Sequence, residues 1–249
     1  MSKRLVMTDP NKGDFFYREA IKTLRANIQF SGRKRKVILI TSVFSGEGKS
    51  DIAYHLASEM ANIGKKVLLI DADIRNSSFV KRFAIADNVE GLSEYLSGQA
   101  ASTNDIIYST NTPNLYFIVA GAYAPNPAEM LSDEQFEQLV VNAGKVFDYV
   151  FVDTPPLGQV IDAAMIARVC DGAVIVIESG AVSYRVAQRV QQQLEKTGCR
   201  ILGVVLNKVD RSGGGIYGGK YGKYGKYGKY GKYGRYGQYG HYGKQPDES

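Results

Sequence analysis

The sequence has little of the residues that mark several large functional classes. Of its 249 residues only two are cysteines, Cys170 and Cys199. That is too few for a disulfide framework, and with no Cys or His at ligand spacing they read as core thiols rather than a metal site. The two histidines, His55 and His241, lie in no nucleophile motif, so no Ser-His-Asp or Cys-His triad is expected. Apolar runs such as Val37 to Ile40, Val67 to Ile70 and Ala173 to Ile177 fall far below the roughly 18 residues of a membrane-spanning helix. The N-terminal stretch Met1 to Pro10 carries Lys3 and Arg4 but lacks the apolar segment of about 7 to 15 residues that a secretory signal needs. The expected location is the cytoplasm.

Net charge is also scarce outside one segment. The net charge is +6, but seven basic and two acidic residues fall between Ser212 and Ser249, which leaves the rest of the chain at +1. A basic body surface, and with it a nucleic-acid partner, is not expected. From Tyr221 the tripeptide Tyr-Gly-Lys recurs, with Arg235, Gln238 and His241 taking the Lys position in later copies. A period of three is too short for a solenoid, and without proline before Pro246 it is not collagen. Thirteen of the 27 glycines lie between Gly213 and Gly243, so residues 212–249 are expected to be flexible and to expose nine tyrosines: Tyr217, Tyr221, Tyr224, Tyr227, Tyr230, Tyr233, Tyr236, Tyr239 and Tyr242.

The whole chain is 44% hydrophobic, and residues 1–211 suffice for one α/β domain. Short β-branched runs alternate with helical patterns, the signal for βαβ units and a parallel sheet with helices on both faces. The predicted strands are Lys36 to Thr41, Lys66 to Asp71, Leu115 to Ala120, Tyr149 to Asp153, Ala173 to Glu178 and Ile201 to Asn207. The predicted helices are Phe15 to Phe30, Lys49 to Ile63, Leu92 to Leu96, Asp133 to Val146, Ile161 to Val169 and Ser183 to Thr197. In the first of these, Ala20, Ile21, Leu24 and Ile28 form an apolar stripe that should pack on the domain.

The first predicted strand runs into Ser42-Val43-Phe44-Ser45-Gly46-Glu47-Gly48-Lys49-Ser50 and then a helix, the context a phosphate-binding loop requires. Gly46 and Gly48 let successive N–H groups of the stretch Ser45 to Asp51 face phosphate oxygens, with the helix dipole behind them. Lys49 would bridge the β- and γ-phosphates of ATP, and the Ser50 hydroxyl would ligate Mg²⁺. Val43 stands where the strict pattern has glycine, which implies a looser entry to the loop. Asp51, in the first helical turn, suits the helix dipole but would repel bound phosphates, so replacing it is expected to tighten ADP binding.

Strand ends supply the carboxylates. Val67-Leu68-Leu69-Ile70-Asp71-Ala72-Asp73-Ile74-Arg75 brings Asp71 and Asp73, and Tyr149-Val150-Phe151-Val152-Asp153-Thr154-Pro155-Pro156 brings Asp153, to the sheet edge that also carries the loop. Ser50, Asp71 and Asp153 are the candidate Mg²⁺ partners, and Lys49, Asp71, Asp73 and Asp153 the candidate catalytic set. The last strand ends in Asn207-Lys208-Val209-Asp210, the spacing with which GTPases read guanine. No supporting switch pattern accompanies it, and Asn207 is expected to touch the base of ATP.

With these motifs in place, the chain resembles the bacterial tyrosine kinases that regulate capsule and exopolysaccharide synthesis, the stand-alone cytoplasmic type built on a P-loop ATPase fold. The related partitioning ATPases carry a signature lysine early in the loop, where this chain has Phe44. The resemblance implies autophosphorylation of the tail tyrosines between subunits, with Asp71 as base. It implies a homo-oligomeric ring assembled through Glu19, Lys22 and Arg25, where the family pattern has arginine at the position of Lys22. It further implies a membrane adaptor of the polysaccharide co-polymerase type that recruits and activates the kinase, and a cognate tyrosine phosphatase. The alternative is a P-loop switch ATPase of the partitioning type whose Lys- and Tyr-rich tail grips a polyanion.

Overall fold

The computed structural model describes residues 4–7, 14–32, 34–83, 85, 89–124 and 126–210. These belong to a compact unit, Met1–Lys208, apart from Val209 and Asp210, which begin a second unit ending at Ser249. The nine tail tyrosines lie outside the described residues.

The sheet contains β1 (Arg4–Leu5), β2 (Val37–Ser42), β3 (Val67–Asp71), β4 (Tyr108–Thr110), β5 (Leu115–Ile118), β6 (Tyr149–Asp153), β7 (Gly172–Glu178) and β8 (Ile201–Asn207). Their order is β1-β4-β5-β3-β6-β2-β7-β8, and every pair is parallel except β4 with β5. The helices are α1 (Phe15–Phe30), α2 (Lys49–Asn62), α3 (Ser78–Arg82), α4 (Leu92–Leu96), α5 (Thr103–Ile106), α6 (Pro127–Met130), α7 (Glu134–Val146), α8 (Asp162–Ala167) and α9 (Tyr184–Glu195). The α/β class and parallel core expected from the sequence are borne out. Strands β1 and β4 and helices α3, α5 and α6 were not anticipated, being five residues or shorter and too brief to show a period.

Alternation of side chains in the central strands builds two cores. Ile38, Ile40, Leu69 and Phe151 face one way and pack with Ile21 and Ile28 of α1, Ile52, Leu56 and Met60 of α2 and Phe79 of α3. Leu39, Leu68, Ile70, Val150 and Val152 face the other way, toward Phe136, Leu139 and Val140 of α7, Ile166 of α8 and Leu194 of α9. β2 is covered on both faces, so all six of its residues are buried, the polar Thr41 and Ser42 at its end included. The buried stripe of α1 differs from the expected one. Ala20 is exposed, and Tyr17 instead joins the expected Ile21, Leu24 and Ile28 against the core, because spacings of four, three and four residues keep these on one side of a 3.6-residue helix. Asp14 caps α1 by accepting from the Tyr17 N–H at 2.7 Å.

This order positions the site. β6 lies between β2 and β3, so that Asp153 is the register partner of both Ile40 and Asp71. The phosphate loop leaves the end of β2 beside the two carboxylates, at the carboxyl edge where open α/β sheets bind ligands.

Candidate active site

Residues 43–48 connect β2 to α2, which begins at Lys49 with Gly48 left-handed at φ 89°. Gly46 is also left-handed, at φ 86°. The entry to the loop is not loose, as Val43 had suggested. The Glu47 carboxylate, buried at 2% exposure, accepts from the N–H groups of Val43 and Phe44 at 2.7 Å each and from the Glu178 N–H at 3.1 Å. The need for glycine has moved elsewhere: a Cβ on Gly158 would stand 2.3 Å from the Val43 carbonyl oxygen. Glu47, expected to line the nucleotide site, uses its side chain to tie the loop together. Ser45 accordingly depends on a distant partner, donating its N–H to Gln159 Oε1 at 3.0 Å.

The catalytic candidates converge. Lys49 Nζ lies 3.3 Å from Asp73 Oδ2 and 3.4 Å from Asp153 Oδ2, and Ser50 Oγ donates to Asp153 Oδ2 at 2.5 Å. Asp71 and Asp153 are fully buried. Asp71 accepts from the Asp73 N–H at 3.2 Å and from the Ser77 hydroxyl, which also caps α3 by accepting from the Val80 N–H. Burial, reinforced by the Asp153 charge, pushes the Asp71 carboxyl up to about 8 against the opposing Ser77 hydrogen bond. Burial likewise raises Asp153, with Lys49 and Ser50 opposing. Burial works against the Lys49 ammonium, but Asp153, Asp73 and Asp71 together outweigh it and raise its pKa.

The donor set suits Mg²⁺ bound together with a nucleotide. Asp153 Oδ1 is buried without a hydrogen-bond partner, beside the Ser50 hydroxyl. Among the described residues no cluster of three or more His, Cys, Asp or Glu side chains forms a metal cage. Ser50 and Asp153 would hold the ion, which would neutralise charge on the phosphates.

Two expectations about nucleotide contacts are altered by the geometry. Asp51 does not face the loop's lysine. Its carboxylate accepts from the Tyr17 hydroxyl and pairs with Arg82, with His55 Nε2 at 3.6 Å, and against the cost of burial these partners hold its pKa well below the ordinary carboxylate range. Its charge is thus matched on the α1 and α3 side, so repulsion of phosphate is not its role. Asn207 Nδ2 donates to the Glu47 carbonyl at 2.9 Å and so packs on the loop itself rather than standing free for a base.

Sequence reasoning missed Ser77, and also Asp162, which is fully buried and takes Arg75 in a two-point contact of 2.6 and 3.0 Å. That pair ties the segment after β3 to the start of α8. The capping position before α3 was a signal for Ser77, whereas nothing local marks Asp162. At α1, Lys22 pairs with Glu19 at 2.8 Å and Arg25 lies 3.8 Å from Glu59 of α2. Cys170 and Cys199 are free thiols, and burial pushes the latter up to about 11, as suits core residues. No described helix is long and apolar enough to cross a membrane.

A P-loop with its lysine between strand-end carboxylates defines a nucleotide-binding protein of the P-loop class, and residues 35–201 match the family model of an AAA domain. The tyrosine-protein kinase CpsD of Streptococcus agalactiae is 43% identical over 194 residues, 78% of this chain and 84% of that relative. The kinase domain of the Escherichia coli tyrosine kinase ETK has a TM-score of 0.75 at 32% identity, covering 79% of this chain and 77% of its own. The septum site-determining protein MinD of Pyrococcus horikoshii, complexed with Mg-ADP, follows at a TM-score of 0.61 and 25% identity, covering 71% and 72%. The chain belongs to the bacterial tyrosine-protein kinase family that CpsD represents. The resemblance drawn from its motifs is borne out, and the kinase reading is favoured over the partitioning ATPase.

Proposed function

We propose that the chain is an ATP- and Mg²⁺-dependent protein-tyrosine autokinase that phosphorylates its own tail tyrosines, one copy acting on another, in the control of capsule or exopolysaccharide synthesis. The observation that carries this reading is the convergence of Lys49, Ser50, Asp71, Asp73 and Asp153 at the loop. Lys49 is placed to stabilise charge that spreads over the transferring phosphoryl group. In its ionised form, which the nearby Lys49 ammonium favours and bound Mg²⁺ would favour further, Asp71 is suited to take the proton that a tyrosine hydroxyl gives up. The γ-phosphoryl group passes to that oxygen and ADP leaves.

The sequence supplies an acceptor suited to the site: nine tyrosines at a spacing of three or four residues in one tail, residues 212–249. Each phosphate adds about −1.5 to −2 charge, so three or four reverse the +5 of that segment. The wider reading is a ring built through α1, at Glu19, Lys22 and Arg25, recruited to the inner face of the membrane by an adaptor that raises its activity and reset by a tyrosine phosphatase. Transfer between copies is tested by mixing full-length Lys49→Met with an active chain that ends at Arg211. Phosphate on the Lys49→Met tail supports the reading; ATP turnover with an unmodified tail contradicts it.

A further inference from the structure

The outer face of the phosphate loop is held by the residues that end β7 and β8, and nucleotide contact does not account for this. Lys208 Nζ donates to the Gly46 carbonyl at 2.7 Å and to Glu178 Oε2 at 2.8 Å. Beside it Asn207 Nδ2 holds the Glu47 carbonyl at 2.9 Å. The approach is close enough that a Cβ on Gly48 would stand 2.2 Å from the Asn207 amide nitrogen. Glu178 closes the circuit, donating its N–H to the Glu47 carboxylate, and the Ser179 N–H donates to the Asn207 carbonyl at 2.9 Å. A second observation is independent of these contacts. Lys208 has φ 53°, and only Asn114 shares a positive φ among the described non-glycine residues. A lysine is held there at a cost in backbone energy, and this conformation is the one from which its ammonium reaches the loop.

A trans peptide has its C=O and N–H pointing in opposite directions. Fixing the Gly46 carbonyl outward toward Lys208 therefore turns the Glu47 N–H inward, and fixing the Glu47 carbonyl toward Asn207 turns the Gly48 N–H inward. These two amides are among those with which a P-loop grips phosphate. Gly46 and Gly48, both left-handed, allow the loop many orientations, so the two amides need an external restraint to stay aimed.

We infer that Lys208, with Asn207 beside it and Glu178 behind it, is a positioning residue for nucleotide binding: it pins the Gly46 carbonyl and so aims the loop's amides at the phosphates. The inference rests on the nucleotide-binding reading of the loop. Its test is calorimetric titration of the full-length chain and its variants with Mg-ADP, alongside melting temperatures. Lys208→Met should raise the Kd for Mg-ADP about tenfold, the loss of one charged hydrogen bond, while shifting the melting temperature by no more than about 3 °C. Lys208→Arg, which keeps the cation, should recover most of the affinity. Lys208→Gly relieves the positive φ and should melt no lower than the parent chain, yet bind as weakly as Lys208→Met. A Kd for Lys208→Met within about twofold of the parent, or losses of affinity that follow melting temperature across the three variants, overturns the inference. Lys49→Met separates the two readings. If it loses binding while Lys208→Met keeps it, the positioning role falls and the kinase reading stands; binding intact in both overturns both.

Discussion

Asp51 and Asp71 lie at the start of α2 and the end of β3, and their surroundings push them in opposite directions. Asp71 is buried beside Asp153 and keeps its proton up to about pH 8, so folding costs free energy as pH rises from its unfolded value near 4. Asp71→Asn should therefore abolish phosphate transfer while making the nucleotide-free protein more stable, and the gap in urea-unfolding free energy should widen from about pH 4 to pH 8 and level off above it. Asp51 has the reverse sign. Tyr17, Arg82 and His55 depress its pKa, so its contribution is present above about pH 4 and is lost as pH falls further. Asp51→Asn should lower stability at pH 7 by about 1 to 2 kcal/mol, a deficit that shrinks below pH 4, and should leave the Kd for ADP unchanged. The sequence announced Lys49, Ser50, Asp71, Asp73 and Asp153 because each belongs to a motif with a chemical reason for its spacing. It did not announce the Tyr17 and Arg82 partners of Asp51, the contact of Glu47 with Glu178 or the Arg75–Asp162 pair. Those depend on residues 31 to 131 positions apart, which only the packed sheet brings together.

At the scale of elements, the insertion of β6 between β2 and β3 makes the site, because it sets Asp153 beside Asp71 and within reach of Ser50. The long strands and helices were legible since β-branched runs and 3.6-residue periods persist over many positions. The strand order was not, because pairing is decided by which faces must be buried and leaves no mark in any one segment. Contact between elements also explains one glycine. The segment after β6 presses on the loop entry, where a Cβ on Gly158 would meet the Val43 carbonyl at 2.3 Å. Backbone on both sides leaves little room to yield, so Gly158→Ala should cost about 1 to 3 kcal/mol in stability. It should also weaken ADP binding, as chemical unfolding and calorimetry would show.

For the whole molecule, the sequence separates the nucleotide-site residues from the proposed acceptor. The body, nearly neutral, carries the loop and carboxylates, whereas the tail carries nine of the 17 tyrosines and most of the net charge. A chain ending at Arg211 should bind Mg-ADP like the full chain, since every contact described at the loop comes from residues up to Lys208, and should gain no phosphate of its own. On the proposed function, heavy phosphorylation would make the tail acidic, and repulsion from the carboxylates of the site would then weaken its use as a substrate. The intact mass of the protein, before and after prolonged incubation with Mg-ATP, separates an autokinase from a switch ATPase. An autokinase should show stepwise gains of about 80 Da per phosphate, all on tail tyrosines and absent from Lys49→Met. ATP hydrolysed to ADP and free phosphate, with the mass of the chain unchanged, would contradict the autokinase reading.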